Sequence, residues 1–143
     1  MKKIMGGVTA AKGFEAAGVA AEIKYKGRND MALVYSKTPC VAAGTFTTNV
    51  AKAAPVKWDQ KIVKESEFAQ VVIVHSGIAN ACTGAEGYGY CKDTADKASE
   101  VLGVPADAVL LGSTGVIGKQ LPMDRIAAGV EKLAAAKDSS LEA

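Results

Sequence analysis

The amino-acid sequence predicts a mixed α/β (α+β) fold, and three observations lead to that prediction. The chain has 143 residues, of which 49% are apolar, and this is enough for one hydrophobic core. Segments typical of strands come first along the chain, and strands that alternate with helices follow. Because no linker, internal repeat or low-complexity tract divides the sequence, residues 1–143 are predicted to form a single domain.

The first part of the chain is predicted to form irregular backbone and then a β-hairpin. Residues 5–18 are rich in glycine and alanine, which is typical of a surface connection or of backbone that approaches a site closely. Two β-prone segments at residues 19–25 and 31–35 flank a turn at residues 26–30, and this pattern predicts the hairpin. Residues 40–46 are a third strand candidate.

The middle of the chain changes from strands to mixed elements. Residues 53–56 are predicted to be extended, because Pro55 disfavours helical backbone in the residue before it. A short helix is expected at residues 58–65, a buried strand at residues 71–74, and a turn of small residues at residues 75–84.

The last part of the chain carries the strongest helical patterns. A helix is predicted at residues 85–102, followed by a buried strand at residues 109–112. The final helix should begin at Pro122, a residue well suited to a first helical position. Its apolar residues recur at helical spacing: Met123, Ile126, Val130 and Leu133. Residues 138–143 are predicted to be a polar, uncapped tail.

Composition argues against several classes of function. The net charge is only +2, from 17 basic and 15 acidic side chains, and aromatic residues make up 6% of the chain, so no nucleic-acid partner is expected. No window is long and apolar enough to cross a membrane, and the first residues lack the apolar core of a secretion signal. The expected location is therefore the cytoplasm.

The metal-binding residue types are too few to predict a metal site. Three cysteines, Cys40, Cys82 and Cys91, show no C-x-x-C spacing, and His75 is the single histidine. The cysteines are expected to be reduced and mostly buried. His75 stands next to Ser76 at the end of a predicted strand, where adjacent side chains point to opposite faces, so this pair makes a weak nucleophile–base candidate.

The most informative motif is the glycine-rich turn predicted from Gly112 to Gly118. Such a turn can direct backbone N–H groups and the hydroxyl of Thr114 towards a developing negative charge, although a purely structural turn fits the sequence equally well. Nucleotide binding is an alternative. Against it, the spacing is not G-x-G-x-x-G, and residues 119–122 delay the helix that would hold a pyrophosphate.

Four groups of short motifs, in this order, resemble the N-terminal part of the ornithine acetyltransferase family, the bifunctional glutamate N-acetyltransferases of arginine biosynthesis. They are Gly6-Gly-Val-Thr-Ala-Ala-Lys-Gly-Phe14, Thr47-Thr-Asn49 with Lys52-Ala-Ala-Pro-Val56, Ser76-Gly with Ala79-Asn-Ala-Cys-Thr-Gly84, and Ser113-Thr-Gly-Val-Ile-Gly118 with Leu121-Pro-Met-Asp124. Each motif is modest alone, and the ordered set is specific.

The resemblance implies a catalytic mechanism shared between two chains. Family members cleave their own precursor, and the new N-terminal threonine of the β chain is the nucleophile, activated by its own amine. It takes the acetyl group from N-acetylornithine and passes it to glutamate, and some members also accept acetyl-CoA. The family's oxyanion hole is a Thr-Gly pair of the α chain, which falls on Thr114 and Gly115.

The resemblance also implies a layered α/β/β/α fold, shared with a group of self-processing aminopeptidases, and an α2β2 or larger assembly. No metal or other cofactor is expected. This sequence departs from the family pattern in two ways. His75 and Ile78 stand where asparagines are expected, and the substrate segment and cleavage point that family α chains carry would follow Ala143. Substrate-binding residues are therefore expected beyond Ala143 and in the β chain. A non-catalytic scaffold subunit is a further alternative, suggested by Leu141 alone in the polar tail.

Overall fold

The structure is a computed structural model that describes residues 6–140, and it confirms a mixed α/β fold. Four strands and three α-helices make up most of this range. The strands are β1 (Phe14–Val19), β2 (Met31–Cys40), β3 (Ala69–Ile78) and β4 (Val109–Val116). The α-helices are α1 (Ala54–Glu65), α2 (Gly84–Leu102) and α3 (Met123–Ala136). Two short 3-10 helices, Val8–Ala10 and Ala106–Ala108, precede β1 and β4.

The four strands form one sheet in the order β1-β2-β3-β4. The first two neighbouring pairs are antiparallel, whereas β3 and β4 are parallel and are joined through α2. The parallel ladder runs in unbroken register from Val71, which pairs with Val109, to Ile78, which pairs with Val116. Since β4 has a strand on one side only, its other edge is available for contacts with helices or ligands.

The two faces of the sheet differ sharply in burial. On the helix-covered face, Leu33, Ile73 and Val109 are at most 1% exposed, and the helices contribute Ile62, Ala95, Ile126 and Leu133 to the same core. On the opposite face, called here the open face, Val72 is 37% and Val74 is 43% exposed. Over residues 71–76 of β3 and 109–114 of β4, the alternation of side chains along a strand therefore assigns odd-numbered residues to the helix-covered face and even-numbered residues to the open face.

The beginning of the predicted hairpin was wrong by several residues. β1 lies within residues 5–18, which were predicted to be irregular, and it ends where the predicted strand at residues 19–25 begins. β1 and β2 do pair, from Phe14 with Ser36 to Val19 with Met31, but the connection between them is long. Buried Asp30 holds this connection, because its carboxylate accepts the N–H groups of Ala21 and Ile23, each at 2.7 Å.

Two more predictions in the first half were wrong. The strand expected at residues 40–46 is absent from the described chain, because β2 already runs to Cys40 and residues 41–53 have no regular structure. Residues 53–56 are mostly the start of α1, not an extended segment. Pro55 occupies the first turn of this helix, where its missing N–H removes no intrahelical bond.

The second half follows the prediction closely except at the ends of β3 and β4. The helices predicted at residues 85–102 and from Pro122 onward are confirmed as α2 and α3. Both strands begin near their predicted positions but continue four residues further, into segments predicted to be turns.

The tail is also more ordered than predicted, because Asp138 forms a β-bridge with Ala16. Leu141 lies outside the described residues. Among residues 6–140, none of the helices has the length and apolar content needed to cross a membrane.

Candidate functional site

The free edge of β4 is covered along its first half and uncovered along its second. Val109 O accepts the indole N–H of Trp58 at 2.9 Å, and the N–H of Leu111 donates to a carboxylate oxygen of Asp59, also at 2.9 Å. Both Trp58 and Asp59 belong to α1. The odd-numbered residues of β4 therefore direct their backbone groups away from β3, and α1 satisfies the first of them.

The same alternation fixes the direction of the Gly115 N–H group. Beyond the ends of the strands, Ala79 N–H donates to Val116 O at 2.8 Å and Gly118 N–H donates to Ala81 O at 2.9 Å, so even-numbered residues face β3. Gly115 N–H accordingly points towards the free edge, past the part that α1 covers. Thr114 and Gly115 are both exposed. Two adjacent exposed residues thus carry a side-chain hydroxyl and an edge-directed backbone N–H.

The predicted turn from Gly112 to Gly118 was wrong in its form. Residues up to Val116 belong to β4, and the distortion that was attributed to a turn lies inside the ladder. Gly115 has φ +131° and pairs with Gly77, which has φ +110°. A Cβ atom on Gly115 would lie 2.4 Å from the carbonyl carbon and oxygen of Gly77, so only glycine fits this position.

A shallow depression of about 300 Å³ lies beside Thr114 on the open face. Its lining includes Thr114, the neighbouring Ser76 of β3, and Asn29 from the connection between β1 and β2. Gly18, Ala32 and Val74 contribute small or apolar residues, and Asp30, Met31 and His75 are the remaining residues of the lining. The depression therefore offers a few polar groups on an apolar surface, which is the usual composition of a small-molecule site.

Buried Asn80 joins the site to the helices. Its side chain donates from Nδ2 to Gly87 O at 2.7 Å and accepts at Oδ1 from the Thr83 hydroxyl at 2.7 Å. Its backbone N–H donates to the Ser113 hydroxyl oxygen at 3.0 Å. Asn80 is 1% exposed, and the sequence alone did not single it out beyond its place in a motif. Its position after a strand and before a glycine-started helix was the available signal.

His75 does not form a pair with Ser76. Both belong to β3, and by alternation His75 faces the helices whereas Ser76 shares the open face with Thr114. Nδ1 of His75 is buried and has no hydrogen-bond partner among residues 6–140. Burial lowers the pKa of His75 to about 4, although the nearby Asp30 carboxylate opposes this change. The imidazole is therefore neutral at pH 7.

The cysteines are free, as expected for reduced thiols, but they differ in burial. Cys91 is buried in α2, Cys40 is half-buried and Cys82 is exposed, so the expectation of mostly buried thiols was wrong for Cys82. Burial raises the pKa of Cys91 to about 12, so this thiol stays protonated and inert. Within residues 6–140, histidine, cysteine and acidic side chains form no cluster that could hold a metal ion.

The structure also argues against the alternative hypothesis that the segment from Gly112 to Gly118 binds a nucleotide. A dinucleotide loop needs a tight turn between a strand and the helix that follows it. Here β4 extends to Val116, and α3 begins only at Met123. The first turn of α3 is therefore separated from the glycines of β4 by an irregular segment.

Comparison with known proteins agrees with this fold along nearly the whole chain. The Arginine biosynthesis bifunctional protein ArgJ of Thermotoga neapolitana is 47% identical over 122 residues, covering 85% of this chain and 30% of the relative. The protein of the same name from Streptomyces coelicolor is 52% identical over 128 residues, covering 89% and 33%. This chain thus spans about a third of the length of these curated relatives.

Solved structures give the same result. The ornithine acetyltransferase of Mycobacterium tuberculosis, complexed with ornithine, superposes with a TM-score of 0.91 at 44% identity, covering 95% of this chain and 73% of that one. The bifunctional ArgJ protein of Bacillus halodurans gives a TM-score of 0.89 at 37% identity, with 96% and 70% covered. Residues 15–143 match the model of the ArgJ family. This chain belongs to the ArgJ family.

Proposed function

We propose that this chain is the N-terminal part of the α chain of an acetyltransferase that moves the acetyl group of N-acetylornithine to glutamate. Membership of the ArgJ family supports the proposal, as do the names of the relatives: bifunctional proteins of arginine biosynthesis, and an ornithine acetyltransferase complexed with ornithine. Because this chain spans about a third of the curated relatives, the rest of the active site belongs to other parts of the protein.

In this proposal, Thr114 and Gly115 supply the oxyanion hole. Acyl transfer passes through a tetrahedral intermediate whose oxygen becomes negatively charged, and fixed hydrogen-bond donors stabilise it. The observation that carries the proposal is the free edge of β4, where α1 satisfies Leu111 N–H and leaves the Gly115 peptide uncovered. The Thr114 hydroxyl and the Gly115 N–H, carried by adjacent residues, are the proposed donors.

The nucleophile comes from a second chain in this proposal. An N-terminal threonine of the β chain attacks the acetyl carbonyl, its amine takes the hydroxyl proton, and ornithine leaves with that proton. The amine of glutamate then attacks the acetyl-threonine ester and regenerates the hydroxyl. Acetyl-CoA is an alternative acetyl donor, with the thiol as leaving group. The proposal assigns no metal and no other cofactor, and it takes the assembly to be α2β2 or larger.

The oxyanion assignment is tested by Thr114→Ala and Thr114→Ser in the complete enzyme. Removing one oxyanion donor costs about 10²–10³ in kcat, so Thr114→Ala should lose activity on this scale with a small change in KM. Thr114→Ser keeps the hydroxyl and should retain most of the turnover. Normal turnover in Thr114→Ala would remove the assigned role.

The two-chain assignment is tested by intact mass and N-terminal sequencing of the native protein. The proposal expects a second chain that begins with threonine and co-purifies with the chain described here. A native mass that fits at least two copies of each chain, in equal numbers, would agree with an α2β2 or larger assembly. If the active protein contained no chain with an N-terminal threonine, the proposed nucleophile would be wrong.

A further inference from the structure

We infer that Ser113 is a positioning residue that fixes the Thr114–Gly115 peptide from the helix-covered side of the sheet. This inference rests on the function proposed above. Ser113 directly precedes Thr114, and by alternation its side chain points away from the open face, so it lies on the opposite side of the sheet from the proposed oxyanion site. Its hydroxyl oxygen accepts the N–H of Asn80 at 3.0 Å.

Asn80 is a rigid partner for that hydrogen bond. Its side chain is bonded to Gly87 O and to the Thr83 hydroxyl, both at 2.7 Å, and its own carbonyl accepts the N–H of Ala54 at 3.0 Å. These contacts tie Asn80 to the first turns of both α1 and α2. The hydrogen bond from Asn80 therefore fixes the position of Ser113 relative to α1 and α2 as well as relative to β3.

The start of α2 packs tightly against the side chain of Asn80. A Cβ atom on Gly87 would lie 1.9 Å from the Thr83 hydroxyl oxygen and 2.4 Å from Oδ1 of Asn80. The helix therefore approaches Asn80 as closely as a glycine allows. The orientation of the Asn80 N–H, and with it the acceptor position that Ser113 must occupy, is set by tight packing.

On the other side of the peptide, the ladder provides the second restraint. Val116 O accepts the N–H of Ala79 at 2.8 Å, and Gly118 N–H donates to Ala81 O at 2.9 Å. The Thr114–Gly115 peptide is thus held between Ser113 and Val116. The hydrogen bonds made by Val116 and Gly118 involve backbone atoms only, whereas the hydrogen bond at Ser113 depends on a side chain and can be removed by substitution.

Such a restraint matters because oxyanion donors act through preorganisation. A donor that is displaced by a fraction of an ångström stabilises the developing charge less, and supporting hydrogen bonds keep it in place. Ser113 is therefore expected to affect the rate through Thr114 and Gly115, without touching the substrate. Its loss should lower kcat and leave KM nearly unchanged.

The test measures kcat, KM and melting temperature in the complete enzyme for four variants. Ser113→Ala should lower kcat about tenfold, the scale of one hydrogen bond that leaves a buried donor unpaired. Ser113→Thr keeps the hydroxyl and should restore most of that loss. Ser36→Ala is the control, since it removes another strand hydroxyl, one that is more buried than the half-buried Ser113 and donates to Thr38 O at 2.6 Å, and it should leave kcat unchanged. The fourth is the double variant Ser113→Ala/Thr114→Ala.

The double variant separates positioning from general destabilisation. If Ser113 acts through the proposed donors, the double variant should be no slower than Thr114→Ala by more than about twofold, because the two effects are coupled. Multiplicative losses, or normal kcat in Ser113→Ala beside an impaired Thr114→Ala, would overturn the inference alone. Normal kcat in Thr114→Ala would instead overturn the proposed function, and the inference with it.

Discussion

The two halves of the β3–β4 ladder have the same backbone hydrogen-bond pattern but differ in burial and in residue type. In the first half, Val71, Ile73 and Val109 are at most 1% exposed, and α1 covers the free edge. In the second half, serine, threonine and glycine predominate, Thr114 and Gly115 are exposed, and two paired glycines adopt positive φ. One continuous pair of strands therefore extends from the core to the proposed site.

This difference shows how one pair of strands can be stable at its buried end and open to a ligand at its other end. The buried half anchors the strands through apolar contacts, which depend on packing and tolerate little change in volume. The exposed half then projects from this anchor, and its geometry depends on two glycines and on the Ser113–Asn80 hydrogen bond. Substitutions in the two halves should therefore differ in kind: those in the first half should change stability alone, whereas those in the second half should also change turnover.

The largest effect is expected for Ile73→Ala in the buried half. Truncation of a fully buried isoleucine removes apolar contacts and leaves a cavity, which should lower the free energy of unfolding by about 4 kcal/mol. Val41→Ala is the control, since Val41 is 94% exposed and should change stability by less than about 0.5 kcal/mol. Denaturant unfolding measures both. Equal effects in the two variants would contradict the assignment of the core.

Gly115→Ala is expected to have the next largest effect, and it lies in the exposed half. The new Cβ would clash with the Gly77 backbone, and alanine at φ +131° is strained, so stability should fall by about 3 kcal/mol. Gly89→Ala is the matched control within α2, where, apart from the adjoining residues and the helix's own backbone, no atom of residues 6–140 lies within 4 Å of the added Cβ. That variant should be more stable by about 0.5–1 kcal/mol. A stable Gly115→Ala protein would mean that the two strands can separate here at little cost.

A pH-dependent effect of intermediate size is expected at His75. Its pKa is about 4 in the folded state and about 6.5 when unfolded, so between these values only the unfolded chain binds the proton. Stability should therefore fall as the pH drops from 6.5 to 4, by about 2 kcal/mol for this half-buried ring. In His75→Asn this part of the loss should disappear.

The comparison of the two pH profiles isolates His75. Burial raises the pKa of Asp59 to about 6, and this carboxyl titrates in both proteins, so its contribution cancels in the difference. Urea unfolding at several pH values gives the two curves. Parallel curves between pH 6.5 and 4 would show that His75 is protonated in the folded protein as readily as in the unfolded chain.

The smallest effect is expected for Trp58→Phe at the covered edge of β4. The variant leaves Val109 O without its donor and loses part of the indole contact, which should cost about 1.5 kcal/mol. Tyr88→Phe is the control, because Tyr88 packs 5.8 Å from the Trp58 ring and its hydroxyl makes no hydrogen bond within residues 6–140. Thermal unfolding should show the loss of stability in Trp58→Phe and a change of less than about 0.5 kcal/mol in Tyr88→Phe. Identical melting curves would mean that water replaces the indole donor without penalty.

The sequence predicted the helices better than the ends of the strands, for a physical reason. The helical pattern of α2 and α3 is local, so residues 85–102 and the start at Pro122 were placed to within about a residue. The ends of β3 and β4 contain serine, threonine and glycine, which are typical of turns. They remain strands because they pair with each other across the sheet, and such pairing leaves no local signal.

The candidate site was predictable only in part for the same reason. Thr114 and Gly115 were identified by their motif, and their role remains a prediction. The hydrogen bond from Asn80 to Ser113 joins residues 33 positions apart, and it exists only because α2 brings β4 back beside β3. β1 was misplaced because its glycine and two alanines lack β propensity, and β2 and Asp138 supply its pairing.

The bridge between Ala16 and Asp138 has a consequence for the order of folding. Ala16 and Asp138 exchange two backbone hydrogen bonds of 2.8 and 3.1 Å, and Lys137 reaches Glu15 across 122 positions of the chain. Such distant contacts close a long loop, which is entropically costly and slow. During synthesis on the ribosome, β1 must therefore wait for the last helix to emerge before its outer edge is paired. Until then that edge is open to other strands, and it is where we expect assistance from chaperones to matter most.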